Sequence, residues 1–162
     1  MALVMVRIDD RLIHGQVVAG WCPLVTPDHL ILCDDEIAQS EWESELYKDA
    51  ASEYKTSVCS IKETVELINS EVAKNERIFL VVESPKTIVK LMQQGVTLDR
   101  VIIGGMHYRP QKRCIAPFIY VDDEDIKHFK TLASRNIRLE GRDVPNCKVI
   151  DIDDILALTE DC

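Results

Sequence analysis

Apolar residues along this chain follow two alternating spacings. Short runs rich in valine and isoleucine recur at "ALVMVRI", "HLILC", "TSVCSI", "RIFLVV", "RVIIGG" and "FIYV", each the length of a buried strand. Between most of them, apolar positions return every three or four residues, which predicts helices. Ser40 and Glu43 form an expected capping box ahead of Trp42, Leu46, Ala50 and Tyr54, and Ser60 and Glu63 another ahead of Val65, Ile68 and Val72. Ser84-Pro85 reads as an N-cap and first helical residue before Ile88, Val89, Leu91 and Met92, with Gly95 as terminator. Asp122 or Asp123 caps a helix carrying Ile126, Phe129, Leu132 and Ala133. Val17–Trp21 with Leu24 predicts the first helix, residues 137–144 a closing strand, and "VIDIDDILAL" a last short element.

Strands alternating with helices predict one α/β domain over residues 1–162. Its sheet is open and mainly parallel, with helices on both faces and one antiparallel edge strand. Ligands of such sheets gather at the carboxyl ends of the strands. Those ends carry three polar or glycine-rich connections, "DDRLIHGQ", "CDDE" and "GGMHYR". They form one rim if the first, second and fifth strands are close neighbours.

The first connection is the richest. Imidazole titrates near neutrality, so His14 offers a nucleophilic nitrogen. Gly15 lets the backbone turn tightly toward an anion, and the amides that follow would face it. Arg7 and Arg11 can neutralise phosphoryl oxygens, and Asp9 or Asp10 can fix the imidazole through its other nitrogen. These are the needs of a histidine that carries a phosphoryl group. The plainer reading of such a residue is a solvated member of an ion-pair cluster. For His29 and His128 surface or packing roles fit best, whereas His107 belongs to the expected rim. Trp21 and Trp42 sit at helical positions and read as core or edge packing. The run "DDEDIK" reads as a helix start favoured by the dipole.

Charge narrows the partners. A net charge of −9 argues against nucleic acid or an anionic membrane surface, and means that any bound anion is held by local groups. The six cysteines are scattered, with no C-x-x-C pair and no histidine at ligand spacing, which predicts free thiols in a reducing cytosol and no metal. No basic region precedes the first apolar run and no stretch approaches a bilayer span, so a cytoplasmic location is expected.

"VRIDDRLIHGQVVAGW" resembles the N-terminal signature of the mannose/sorbose-family IIB components of the bacterial phosphoenolpyruvate-dependent sugar phosphotransferase system. "CDDEIA", "GVTLDRVIIGGMHYR", "VDDEDIKHFKTLASRNI" and "EGRDVPN" follow in family-like order, with the weakest similarity between Ser44 and Arg77. The resemblance implies a phosphohistidine at Nδ1 of His14, with phosphoryl arriving from the histidine of a IIA protein or domain. It then passes to a sugar at a membrane IIC/IID complex, beside which the chain would work peripherally. That is a protein-phosphohistidine–sugar phosphotransferase without metal or organic cofactor. The residues expected to bind or orient the phosphoryl group are Arg7, Asp9, Asp10, Arg11, Gly15, Gln16, Asp35, Gly104 and Gly105.

Three positions depart from the family pattern. Asp34 and Ile102 stand where asparagine is common, and "KDAASEYKTSV" lacks a frequent proline. A stand-alone regulatory protein, whose phosphorylated His14 reports carbon supply, is the alternative. A module that binds a phosphorylated metabolite noncovalently is a third reading. The sugar is not legible, and a homodimer stays open.

Overall fold

A computed structural model describes residues 3–158. Its central sheet runs in the order β3 (Thr56–Cys59), β2 (His29–Cys33), β4 (Ile78–Val82), β1 (Leu3–Asp9), β5 (Arg100–Gly105), β8 (Arg138–Gly141), β9 (Ile150–Asp151). Every pairing in it is parallel except β8 with β9, which supplies the expected antiparallel edge. The run "FIYV" does not join this sheet. Ile119–Val121 (β7) pairs instead with Arg113–Ala116 (β6) in a separate antiparallel ribbon.

The central strands are apolar on both sides because helices cover both. On one face α4 (Ile61–Ile68), α5 (Pro85–Gln93), α6 (Asp123–Ser134) and α7 (Ile152–Leu158) bury Ile61, Ile88, Leu91, Phe129, Leu132 and Ile152 against Val6, Ile8, Leu80 and Ile103. On the other, a π-helical segment Gln16–Trp21, the short α1 (Cys22–Val25), α2 (Asp35–Gln39) and α3 (Glu41–Ala50) close over Met5, Leu30, Leu32, Phe79, Val81 and Ile102. Alternation along β1 therefore points Arg7 and Asp9, like Met5, into the second layer. Two charged side chains there are fully buried.

The helix starts follow the capping chemistry with two exceptions. Ser60 with Glu63 and Asp122 with Asp125 make complete reciprocal boxes. Ser40 accepts from the Glu43 amide without the return bond, and the Ser84 side chain caps nothing. The inward face of α3 also differs from expectation. Trp42 and Leu46 are 69% and 56% exposed, while Ser44 is buried and Tyr47 packs against the second layer. Ser44 faces inward because its hydroxyl donates to the Ile37 carbonyl at 2.9 Å, locking α3 onto α2. Leu24, expected on the buried face of the first helix, is 64% exposed. Cys22, Cys33 and Cys59 are buried free thiols, Cys114 and Cys147 are free, and Cys162 lies outside the described residues. Among the described residues, no helix is long and apolar enough to cross a membrane.

Candidate functional site

The chain leaves β1 at Asp9 and re-enters helix at Gln16, and the turn between is made by Leu12, not by glycine. Leu12 has φ 62°, while Gly15 is right-handed helical at φ −52° with open space where a Cβ would be. A leucine in the left-handed region costs about 1 kcal/mol or more, and burial of its side chain in the second layer offsets this. The earlier expectation that Gly15 makes the tight turn is thus corrected. What Gly15 leaves is an unobstructed surface next to His14.

Asp9 organises the loop. Its carboxylate accepts five hydrogen bonds: from Arg7 Nη2 (3.2 Å), from Arg11 N (3.1 Å), Nε (3.0 Å) and Nη2 (3.0 Å), and from His14 Nε2 (3.1 Å). Burial alone would push this carboxyl up. The hydrogen bonds from His14 and Arg11 and the charge of Arg7 outweigh it and hold Asp9 well below the usual carboxylate range. Because an ionised carboxylate only accepts, His14 carries its proton on Nε2. The Gln16 amide donates to Nδ1 at 3.3 Å, consistent with a lone pair on that nitrogen. His14 therefore has one ring nitrogen turned inward and fixed, the other turned to the exposed start of the helix. Its side chain is 20% exposed.

The depressed Asp9 carboxyl has a stability consequence. A group whose folded pKa lies below its unfolded value stabilises the fold fully above about pH 4, and that stability is lost as pH falls toward the folded value. In urea unfolding between pH 5 and pH 2, the parent should therefore lose stability steeply. Asp9→Asn, less stable at pH 7, should show a slope shallower by up to about 1.4 kcal/mol per pH unit. Equal slopes in the two proteins would contradict the hub role of Asp9.

Arg7 does not reach the surface. Its guanidinium is fully buried and donates to the carbonyls of Arg142 and Asp143, both at 2.8 Å, and to Asp9. It lies 5.0 Å from the Trp21 ring centroid, and Trp21 Nε1 donates to the same Asp143 carbonyl at 3.0 Å. Burial thus closes the direct neutralisation of a phosphoryl group expected of Arg7, and what its guanidinium holds instead is Asp9. Gly104 makes this burial possible, since a Cβ there would sit 1.9 Å from Arg7 Cζ. Gly105 is less tight, its added Cβ falling 3.2 Å from Arg11 Nη2, and its carbonyl accepts from the Asp10 amide at 3.0 Å. Arg11 is 34% exposed, so it is the arginine with access to an incoming anion.

Asp10 does not hold His14. Both its oxygens are taken by His107, one by the backbone amide at 2.7 Å and the other by Nδ1. The expected contribution from the second strand is displaced as well. Because β4 lies between β2 and β1, "CDDE" stands two strands from His14. Asp34 caps α2 by accepting from the amides of Glu36 and Ile37, both at 3.0 Å, and Asp35 accepts from the Ile61 amide at 2.8 Å. These carboxylates are spent on helix starts, so Asp35 is corrected from an orienting residue of the site to a cap of α4. Burial and the Asp34 charge push Glu83, at the end of β4, above its usual value. The interstrand position of Glu83 and the carbonyls of Arg142 and Asp143 went unread in the sequence. Carbonyl acceptors leave no side-chain signature, but the alternation L-V-M-V-R-I-D does place Arg7 and Asp9 on one inward face.

The three buried cysteines are poor nucleophiles. Burial pushes the Cys33 thiol up to about 12 and the Cys22 and Cys59 thiols up to about 11. His29, 3% exposed, is bound to Glu76 and Ser57 at the opposite end of the strands, as packing would require.

Comparison with known proteins places the chain in a family. The family described as PTS system sorbose subfamily IIB component matches residues 3–161. The fructose-specific EIIB component of Bacillus subtilis is 35% identical over 147 residues, 90% of each chain. The mannose-specific EIIAB component of Escherichia coli is 33% identical over 94% of this chain and 48% of that protein. The crystal structure of the IIBSor domain of the sorbose permease from Klebsiella pneumoniae matches with a TM-score of 0.93 at 30% identity, covering 100% of both chains. This chain belongs to the sorbose subfamily of IIB components, which carries a phosphotransferase role in the sugar phosphotransferase system.

Proposed function

We propose that this chain accepts a phosphoryl group on Nδ1 of His14 from a phosphohistidine of a IIA partner and delivers it to a sugar at a membrane IIC/IID complex. One observation carries the reading: Nε2 of His14 is committed to buried Asp9, while Nδ1 meets only a backbone amide at an exposed helix start. The Nδ1 lone pair attacks phosphorus as the donor's nitrogen–phosphorus bond breaks. The Gln16 amide exchanges Nδ1 for a phosphoryl oxygen, and Arg11 adds positive charge. Positive charge developing on the ring is stabilised through Nε2–H by Asp9, itself fixed by buried Arg7. In transfer to sugar a hydroxyl oxygen attacks phosphorus, and the Nδ1–phosphorus bond breaks and returns the lone pair to His14. The hydroxyl proton passes to a base of the membrane complex or to water. Little else is required, because the transition state is loose and alignment with charge neutralisation does most of the catalysis.

The mannose-specific EIIAB relative, whose name joins A and B components, supports a IIA partner for this chain. The route is tested by reconstitution with phosphoenolpyruvate, the general phosphotransferase proteins, a IIA protein and membranes bearing IIC/IID. Sugar phosphate formed only when this chain is present supports it. A phosphorylated chain that yields none with any such membrane favours the regulatory alternative. In the same assay Arg11→Ala should slow transfer about 10- to 100-fold, the worth of one charge-assisted contact in a transition state. Rates equal to the parent's would remove Arg11 from the mechanism.

A further inference from the structure

Two consecutive aspartates each hold one histidine at this rim, and they do so differently. Asp9 is fully buried, saturated by five donors, and takes Nε2 of His14. Asp10 is 14% exposed, and its two oxygens meet only the amide and Nδ1 of His107, a residue 57% exposed on the connection after β5. Asp10 shares a hollow of mixed charge with Glu83, Glu124 and Asp125 and with Lys86, Arg109 and Lys112. Glu83 lies near enough for the Asp10 and Asp34 charges to act on it, and its partner Arg109 stands off at 3.9 Å. The chain as a whole carries −9. Asp10 sits four residues before His14 on the same connection, so an unmasked charge there would oppose a phosphoryl-bearing donor.

We infer that His107 is a positioning residue for phosphoryl transfer: by donating to Asp10 it masks the one carboxylate of the His14 loop that is not already neutralised by arginine. This rests on the proposed transfer to His14 and adds to it a residue from a different connection. The alternative is a plain clamp, in which His107 merely ties the two connections together.

The two are separated by transfer kinetics from a phosphorylated IIA protein to His14. His107→Ala should raise the KM for the donor about fivefold at low salt, with the maximal rate changed less than about twofold, because repulsion acts on approach. His107→Asn, whose side-chain amide still donates to Asp10, should keep KM within about twofold of the parent. Asp10→Asn/His107→Ala should return KM to within about twofold of the parent, and the defect of His107→Ala should vanish near 0.5 M salt. An unchanged KM in His107→Ala overturns the inference, and so does a double variant as impaired as the single one. A parent that takes no phosphoryl at His14 would instead sink the underlying transfer reading.

Discussion

His14→Ala is expected to remove phosphoryl transfer from a IIA protein to sugar entirely while leaving the fold in place. The ring makes a hydrogen bond to Asp9 and little else, and Asp9 keeps four other donors without it. The stability loss should be about 1 kcal/mol, a fall in Tm of about 2–4 °C for a chain of this size. No other described residue offers a comparable imidazole beside exposed amides and an accessible arginine. His29 is buried, His128 is tied near Glu124, and His107 lacks an arginine on its carboxylate. Transfer to sugar by the folded variant would contradict the assignment.

Gly104→Ala tests the layer beneath. Its methyl would need the space now filled by the Arg7 guanidinium, with 1.9 Å to Cζ and 2.0 Å to Nη2. Backbone on both sides is held in the sheet by β1 and β8. Arg7 must then leave its two carbonyl acceptors and Asp9, stranding a buried charge and freeing the residue 142–143 connection. Breaking a buried charge network of this kind costs about 3–5 kcal/mol. Thermal unfolding should fall by about 10 °C. Transfer should fall with it, because Asp9 would no longer be fixed beneath His14. A variant with parental Tm would show that Arg7 has another place to go. Gly105→Ala, with 3.2 Å to its nearest neighbour, should be the milder of the two.

Much of the fold was legible because it is written locally. Runs of valine and isoleucine between capped, amphipathic stretches specify strand, helix and parallel sheet, and β1 to β5 appear where such runs stand. Strand order is not written that way. The insertion of β4 between β2 and β1 depends on how the layers pack, so "CDDE" fell away from the site and Glu83 came into it. Trp42 shows a second limit. A helical spacing of apolar residues defines a face, but the hydroxyl of Ser44 and the neighbouring α2 decided which face turned inward. His14 and Arg11 could be read because their side chains carry the chemistry. The burial of Arg7 was only half legible, through the alternation along β1 that turns it inward. Its acceptors are carbonyls of a connection more than a hundred residues away, and its space is left by the absence of a side chain at Gly104.

Those contacts all serve one geometric claim, that the nitrogen of His14 facing outward is Nδ1. The most direct test is to phosphorylate the chain from phosphoenolpyruvate through the general phosphotransferase proteins and a IIA protein, then locate the phosphoryl group by mass spectrometry and ³¹P NMR. A single acid-labile, base-stable phosphohistidine at position 14 with the Nδ1 chemical shift is expected. A phosphoryl group on Nε2 of His14, or on any other residue, would contradict it.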